Sequence, residues 1–371
     1  MEKCKGNITF GLADEIDYPE VGGIVAEAPM KGPVAVSFVK EAGFFRSIKF
    51  GKGLCQILVA REGDSSNIIG CGTRSIMKMY VNGRSEDVGY IGNLRIKEDH
   101  RGAGLLSRGY SFLKKLHSDG ETRLYLTTIV SGNKYAESLL TSGRCGLPSY
   151  RDLGLYRTYV MNASRQARSK DGIMQFDTGD KFKASEIIIF LNKTGSGRQF
   201  YPCYSEEDFS GNAQNGITWK DLIVAHQKGE IKGITGVWDQ RDVRRIRISG
   251  YSGILKYIRL PYNGMAAITG FPFLPEPGEN ISYVSLGFIA IERNDPNIFK
   301  EIVGYAGSLA GNRGYKYIMA GFHEKDPLLR AFAGAKAFVF KSRIYAVFWQ
   351  DGKGFYDKLD GRTPYLELGI L

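Results

Sequence analysis

The sequence predicts an α/β protein with a mixed sheet, organised as two compact units in tandem. Three observations carry that reading. At Tyr90–Gly109 (YIGNLRIKEDHRGAGLLSRG) a strand-like run turns through glycines directly into an amphipathic helix. A chain of 371 residues is longer than one core of that kind requires. The order of elements around this stretch then returns in the second half, without its glycines.

Taken in order, Ile8–Gly11 is the first expected strand, followed by helical or mixed segments at Asp14–Ala28 and Pro33–Ala42. Leu54–Ala60 and Ile68–Met79 form an expected hairpin, joined by Arg61-Glu62-Gly63-Asp64 and two serines. Tyr90–Ile96 is the next strand. Leu105, Leu106, Gly109, Phe112, Leu113 and Leu116 recur at helical spacing after it. Arg123–Val130 (RLYLTTIV) is rich in β-branched and aromatic residues and reads as a strand. Ser131-Gly132-Asn133 opens a short helix, Lys134–Thr141, and Tyr156–Met161 is expected to close the sheet. The polar run NASRQARSKDG then reads as a linker, which divides the chain into 1–162, a linker at 163–172, and 173–371.

The second half repeats the order. Leu222–Ala225 and Ile231–Trp238 make a hairpin through Lys228-Gly229-Glu230. Ile281–Glu292 is a long strand, Ile298–Leu309 a helix, Tyr315–Gly321 a strand and Pro327–Phe332 a short helix. Ala337–Phe340 and Ile344–Trp349 are expected as a closing hairpin around Lys341-Ser342-Arg343. Where the first half has Arg101-Gly102-Ala103-Gly104, the second has Arg293-Asn294-Asp295-Pro296-Asn297, with proline suited to a helix start but no glycine turn.

Glycines between a strand and a helix let backbone approach a ligand, and the first N–H groups of the helix face outward as an anion site. Neither G-x-G-x-x-G nor a glycine loop followed by Lys-Ser/Thr is present. The stretch instead resembles the pyrophosphate-binding motif of the Gcn5-related N-acetyltransferase (GNAT) superfamily, Arg/Gln-x-x-Gly-x-Gly/Ala. Arg101 takes its first position and Gly104 its central glycine; Leu106 departs from the family's glycine or alanine. The resemblance implies an acyl-CoA N-acyltransferase fold in two tandem copies, the second degenerate. It implies acetyl-CoA as cosubstrate, with the pantetheine arm along Leu94, Arg95 and Ile96. The phosphates would meet Arg101, Gly102, Ala103, Gly104, Leu105 and Leu106, with Lys97 and Arg108 as further nearby cations. Asn133 and Ala136 match the family's Asn-x-x-Ala segment, which makes Asn133 a polar contact to the cofactor arm; as a helix cap it would do purely structural work.

Acyl transfer from a thioester to an amine needs a neutral amine, oxyanion stabilisation and a proton for the departing thiolate. Many family members supply the proton from a tyrosine in the helix after the second strand; Leu140 stands there in this chain. Tyr90, Asp87, Tyr135 and Tyr150 are the candidate catalytic residues, with Tyr156 beside the last of them. Strand-face packing for Tyr90 and simple exposure for Asp87 are the structural alternatives.

Hydrophobic content of 43% and aromatic content of 12% exclude a disordered chain. No apolar run reaches spanning length, and MEKCKGNITFG lacks a signal-peptide pattern, so a cytoplasmic location and no membrane partner are expected. Five scattered cysteines and four scattered histidines predict neither a disulfide framework nor a metal site. Lys plus Arg number 50 against 39 acids, a charge of +11 that suits coenzyme A phosphates. No basic helix favours a nucleic acid, and the alternation in Arg244–Ile248 reads as a strand with one wet face. The acceptor is expected to be a small amine or a peptide in a cleft near the unit interface, where the aromatic, loop-rich stretch Gly250–Pro277 is a candidate wall or an insertion packed on the sheet. Oligomeric state stays open. An acyl-CoA transferase, a Fem-type aminoacyl-tRNA-dependent transferase and a non-catalytic CoA-binding or interaction protein are the three functions the sequence admits.

Overall fold

The computed structural model describes residues 8–27, 29–30, 32–39, 53–63, 67–100, 104–143, 146–163, 174–210 and 216–370. Its first-half strands are β1 (Ile8–Leu12), β2 (Val34–Val39), β3 (Leu54–Glu62), β4 (Ile68–Val81), β5 (Arg84–Ile96), β6 (Tyr125–Val130) and β7 (Ser149–Asn162). The second half adds β8 (Gln175–Thr178), β9 (Tyr201–Pro202), β10 (Leu222–Gln227), β11 (Glu230–Trp238), β12 (Arg245–Tyr251), β13 (Tyr283–Ile291), β14 (Tyr317–His323) and β15 (Ala337–Phe348). All except β2 and β12 belong to one mixed sheet, ordered β1-β3-β4-β5-β6-β15-β7-β14-β13-β11-β10-β8 with β9 against β4. β2 and β12 pair with each other.

The two halves exchange their closing strands. β7 has no first-half neighbour; it runs between β15 and β14. β15 in turn lies against β6. This also corrects the expected hairpin at Lys341-Ser342-Arg343. Those residues are polar enough to read as a turn, but Ser342 and Arg343 pair with β6 and all three pair with β7, which holds β15 extended throughout. Pro33–Ala42 likewise contributes a strand, because Val34–Val39 finds a partner in β12.

Each half contains the same backbone device. β5 and β6 run parallel and pair only at Gly89–Tyr125 and Tyr90–Leu126 before they part. Just beyond, Asn93 takes φ +51° where the β4–β5 register slips between Cys71 and Thr73, a bulge that bends β5 away. β13 and β14 pair in parallel from Tyr283 to Leu286, and Phe288 then takes φ +55° beside a slip between Ile234 and Gly236. Two V-shaped openings result, one per half.

The first opening depends on glycine. A Cβ on Gly89 would sit 2.1 Å from the Tyr125 ring. That ring cannot yield easily, because Arg74 Nε donates to its hydroxyl at 3.0 Å and His117 Nδ1 lies 3.1 Å from it. Arg74 is fully buried and anchored in turn by Asp119 at 2.7 Å. Gly89→Ala should therefore destabilise the fold by about 1–3 kcal/mol through overpacking. Urea unfolding checks this, an unchanged midpoint being the contrary result.

The helices are α1 (Tyr18–Glu27), α2 (Leu105–His117), α3 (Lys134–Leu140), α4 (Ala184–Gly195), α5 (Leu255–Thr269), α6 (Pro296–Asn312) and α7 (Lys353–Tyr356). α1 buries Val21, Ile24 and Val25, spaced as one helical stripe, against Ile57, Val59 and Ile68. α2 buries Tyr110 and Leu113 over Ile91, Tyr125 and Ile129 of the sheet, and Leu105 against Ile8, Ala60 and Ile69. α6 begins at Pro296, and Asp295 caps it by accepting from Asn297 N at 2.8 Å. α5 lies inside the stretch expected to be loop-rich; its 15 residues hold no acid, and the helix continues through Pro261.

Candidate functional site

The opening between β5 and β6 brings the expected strand and helix start together. Beyond Tyr90, β5 has no ladder partner on the β6 side among the described residues, so Leu94, Arg95 and Ile96 border the V. Arg95 Nη1 donates to the Leu94 carbonyl at 2.9 Å, while its buried Nε has no hydrogen-bond partner among the described residues. Burial lowers the guanidinium pKa. A buried cation with a spare donor suits an anionic ligand. Gly104 caps α2 in the left-handed conformation, φ +70°, and a Cβ there would meet nothing within 4 Å. Arg101, Gly102 and Ala103 lie outside the described residues. Leu105 is buried under the helix, and Leu106 packs on the cluster of Ile91 and Tyr110.

Other expected contacts are engaged elsewhere. Asn133 Oδ1 accepts from Ala136 N at 3.2 Å, the capping geometry. Lys97 Nζ bonds Glu20 and Asn67 at 3.2 and 3.1 Å. Arg108 bonds the Ile8 carbonyl and lies over the Phe10 ring, 5.4 Å from its centroid.

The candidate tyrosines separate onto two sheet faces. Tyr90 is buried on one face with Leu126, its hydroxyl 3.1 Å from Thr128 Oγ1. Burial raises its pKa and keeps the phenol neutral. Asp87 is half-buried and ion-paired with Lys78 at 2.6 Å. Tyr135 is exposed on α3. Tyr150 lies on the opposite face from Tyr90, its hydroxyl in a short hydrogen bond with that of Tyr110. Tyr156 is buried at the sheet centre and donates to the Leu366 carbonyl at 2.8 Å. The structure thus does not gather the four candidates at one point.

Three further residues join the site. Tyr345, on the exchanged strand β15, packs edge-on against Tyr150 and donates to Glu137 of α3 at 3.0 Å. It therefore brings a phenol to the helix that carries Leu140, itself buried in the same cluster. Thr128 holds Tyr90. Arg244, buried and bonded to Gln240 at 3.0 Å, is close enough to Tyr90 to act on its charge. The strand exchange brings Tyr345 to the site and the parallel β5–β6 pair sets Thr128 beside Tyr90; the exchange has no local sequence signature.

The second V is already filled. Glu367 Oε2 accepts from Phe288 N at 2.7 Å, from Tyr365 at 2.8 Å and from Tyr204 at 3.0 Å. Tyr365 OH also accepts from Ile289 N at 3.3 Å. The carboxy-terminal segment thus takes the backbone donors of β13 beyond Leu286.

A separate cleft of about 1090 Å³ lies beside α5, lined by Asn162, Arg259, Asn263, Phe273, Lys316 and Tyr317 among others. It sits at the ends of β7 and β14, strands away from β5, and holds none of the candidate catalytic residues. Of the aromatic stretch, Phe273 lines this cleft whereas Tyr262 stacks on Phe338 of β15. Among the described residues no group of three or more His, Cys, Asp or Glu could hold a metal, and no helix is long and apolar enough to cross a membrane.

No protein-family model matches the sequence, and comparison with curated proteins finds no match. Solved structures do match. The N-myristoyltransferase of Saccharomyces cerevisiae with bound myristoyl-CoA superposes with TM-score 0.59 and 11% identity over 93% of this chain and 85% of its own. A GCN5-related N-acetyltransferase from Sphaerobacter thermophilus gives TM-score 0.56 and 12% identity over 91% and 95%. A tandem GNAT protein of the clavulanic acid biosynthesis pathway gives 0.54 and 10% over 92% and 98%. The chain shares the fold of these acyltransferase structures, and the matches run through both halves.

Proposed function

We propose that the protein is an N-acyltransferase that takes an acyl group, acetyl in the first instance, from a coenzyme A thioester to an amine. The observation that carries the reading is the V between β5 and β6, set beside the left-handed Gly104 at the start of α2. The similar structures support it, since one is titled with myristoyl-CoA bound and another as an N-acetyltransferase. The free backbone edge of β5 would hold the pantetheine arm, and Arg95 with the α2 terminus the phosphates. Division of the chain at 163–172 into a donor-binding unit and a degenerate unit belongs to the same proposal.

In the transfer a C–N bond forms, the C–S bond breaks, the amine loses a proton and the thiolate gains one. Alignment in the V supplies much of the acceleration. The Tyr150–Tyr345 cluster stands on the α3 side, where family members keep their proton donor, and we assign the thiolate's proton to it. Tyr90, neutral and held by Thr128, orients the acceptor on the other face, where a small amine or a peptide terminus would enter. Tyr345→Phe or Tyr150→Phe should lower kcat by about 10²–10⁴ if that phenol is the donor. Tyr135→Phe and Asp87→Asn should leave turnover within about twofold, since Tyr135 is exposed and Asp87 is tied to Lys78, an ion pair of small worth. Full activity in both cluster variants across pH would place the proton on the substrate or on water.

The likeness to an N-myristoyltransferase favours a longer acyl chain as the second reading. Calorimetric titration with acetyl-CoA and myristoyl-CoA in parallel separates the two by affinity. Binding of neither would sink the function itself.

A further inference from the structure

α5 presents its apolar side chains outward. Ile254, Tyr257, Leu260, Met265 and Ile268 follow one another at helical spacing and are 71, 78, 71, 53 and 90% exposed. The helix buries only Ala266, and its half-buried side mixes Leu255 and Ile258 with the polar Arg259, Tyr262 and Asn263, so most of its apolar surface is turned outward. An amphipathic surface helix ordinarily faces the other way.

The segment that follows makes the same choice and is held rigidly in it. Every carbonyl from Gly270 to Pro275 accepts a side-chain hydrogen bond. Asn162 bonds the first two at 3.2 Å, and the Tyr262, Tyr317, Asn263 and Tyr251 side chains bond the others at 2.7–3.2 Å. Pro272 and Leu274 point inward while Phe271 and Phe273 stand exposed beside α5. So many fixed carbonyls show that the aromatic display is built and does not arise from a loose loop.

Charge identifies what covers this surface. Leu255–Thr269 contains Lys256 and Arg259 and no acid. Lys256 Nζ lies 5.9 Å from the Tyr257 ring, in the first turn. At the other end, the exposed Lys336 ammonium lies beside Gly270, 3.5 Å from where its Cβ would be. Cations thus bracket an apolar ridge on a chain of net charge +11. A second copy meeting the same face would bring like charges together, whereas anionic headgroups above an acyl layer match both features.

We propose that α5 and Phe271–Phe273 dock the protein peripherally on an anionic lipid bilayer. This revises the expectation of no membrane partner, which rested on the lack of a spanning run; lying on a bilayer needs none. The proposal is independent of the acyltransferase reading.

Vesicle flotation tests it, with phosphatidylcholine containing phosphatidylserine against phosphatidylcholine alone. The protein should float with the anionic vesicles, less so in high salt, and only weakly with the neutral ones. Tyr257→Asp with Ile268→Asp should lower the partition coefficient roughly tenfold or more, as should Lys256→Glu with Lys336→Glu. Unchanged thermal melts and coenzyme A affinity would show that these exposed positions leave the fold intact. Wild-type protein remaining with the aqueous phase overturns the proposal, as does equal, salt-insensitive binding to both vesicles. A dimer in sedimentation velocity that the double aspartate variant dissociates, without vesicle binding, assigns the face to self-association and overturns it too.

Discussion

Gly104→Asp should abolish acetyl-CoA binding while leaving a folded protein. The residue sits at the start of α2 with φ +70°, where an L side chain costs about 1–2 kcal/mol and aspartate less than most. Its Cβ would enter open space, so packing adds no further penalty. A carboxylate there would face the ligand's phosphates. At about 4 Å and an effective dielectric near 20, one such pair repels by about 4 kcal/mol, or roughly a 10²–10³-fold loss of affinity. Gly104→Asn bears the same backbone strain without the charge and should lose much less. Titration calorimetry with thermal melts of all three proteins separates the effects. The assignment of the V to the donor fails if the aspartate variant binds like wild type. It fails equally if wild type does not bind at millimolar cofactor.

How much of this was readable from residues alone follows from the range of the contacts involved. The helix α2, the strand β6 and the turn at Gly104 announce themselves in local periodicity and glycine placement, because the forces that set them act within a few residues. The repeat of element order was visible for the same reason. The strand exchange was not. Whether β7 pairs with β6 or with β14 is decided by the whole sheet, and either pairing satisfies the same alternation of side chains. That is why Tyr345, more than two hundred residues from Leu140, did not enter the candidate set, while the exposed Tyr135 did. Nor does any sequence pattern mark Phe288, whose left-handed backbone does in the second half what Asn93 does in the first. Asparagine there is a familiar choice; phenylalanine is tolerated because β11, Tyr204 and Glu367 fix it from every side.

The filled second V leads to the other large expectation: one equivalent of acetyl-CoA per chain, with Glu367 among the most stabilising polar side chains. Its Oε2 accepts from the hydroxyls of Tyr204 and Tyr365 and from the Phe288 N–H as well. Glu367→Ala would take this shared acceptor from three buried donors and open a void beside Gly287, whose Cβ would have lain 2.7 Å from Oε1. A loss of about 3–5 kcal/mol follows from breaking such a buried network. Glu367→Gln keeps an acceptor and the volume, so it should cost less. The two also differ in pH dependence. Burial raises the Glu367 pKa, against the lowering effect of its donors, so the native state holds the proton more tightly than the unfolded chain. That contribution is complete below the unfolded value of about 4.3 and is lost as pH rises through the native one. Wild type should therefore lose stability relative to the glutamine variant on going from acid to neutral pH, which urea titrations across that range measure directly. A wild-type gain over the same range would mean that the ionised carboxylate is the favoured native form. Two equivalents of bound cofactor would show that the carboxy-terminal segment does not keep the second V closed.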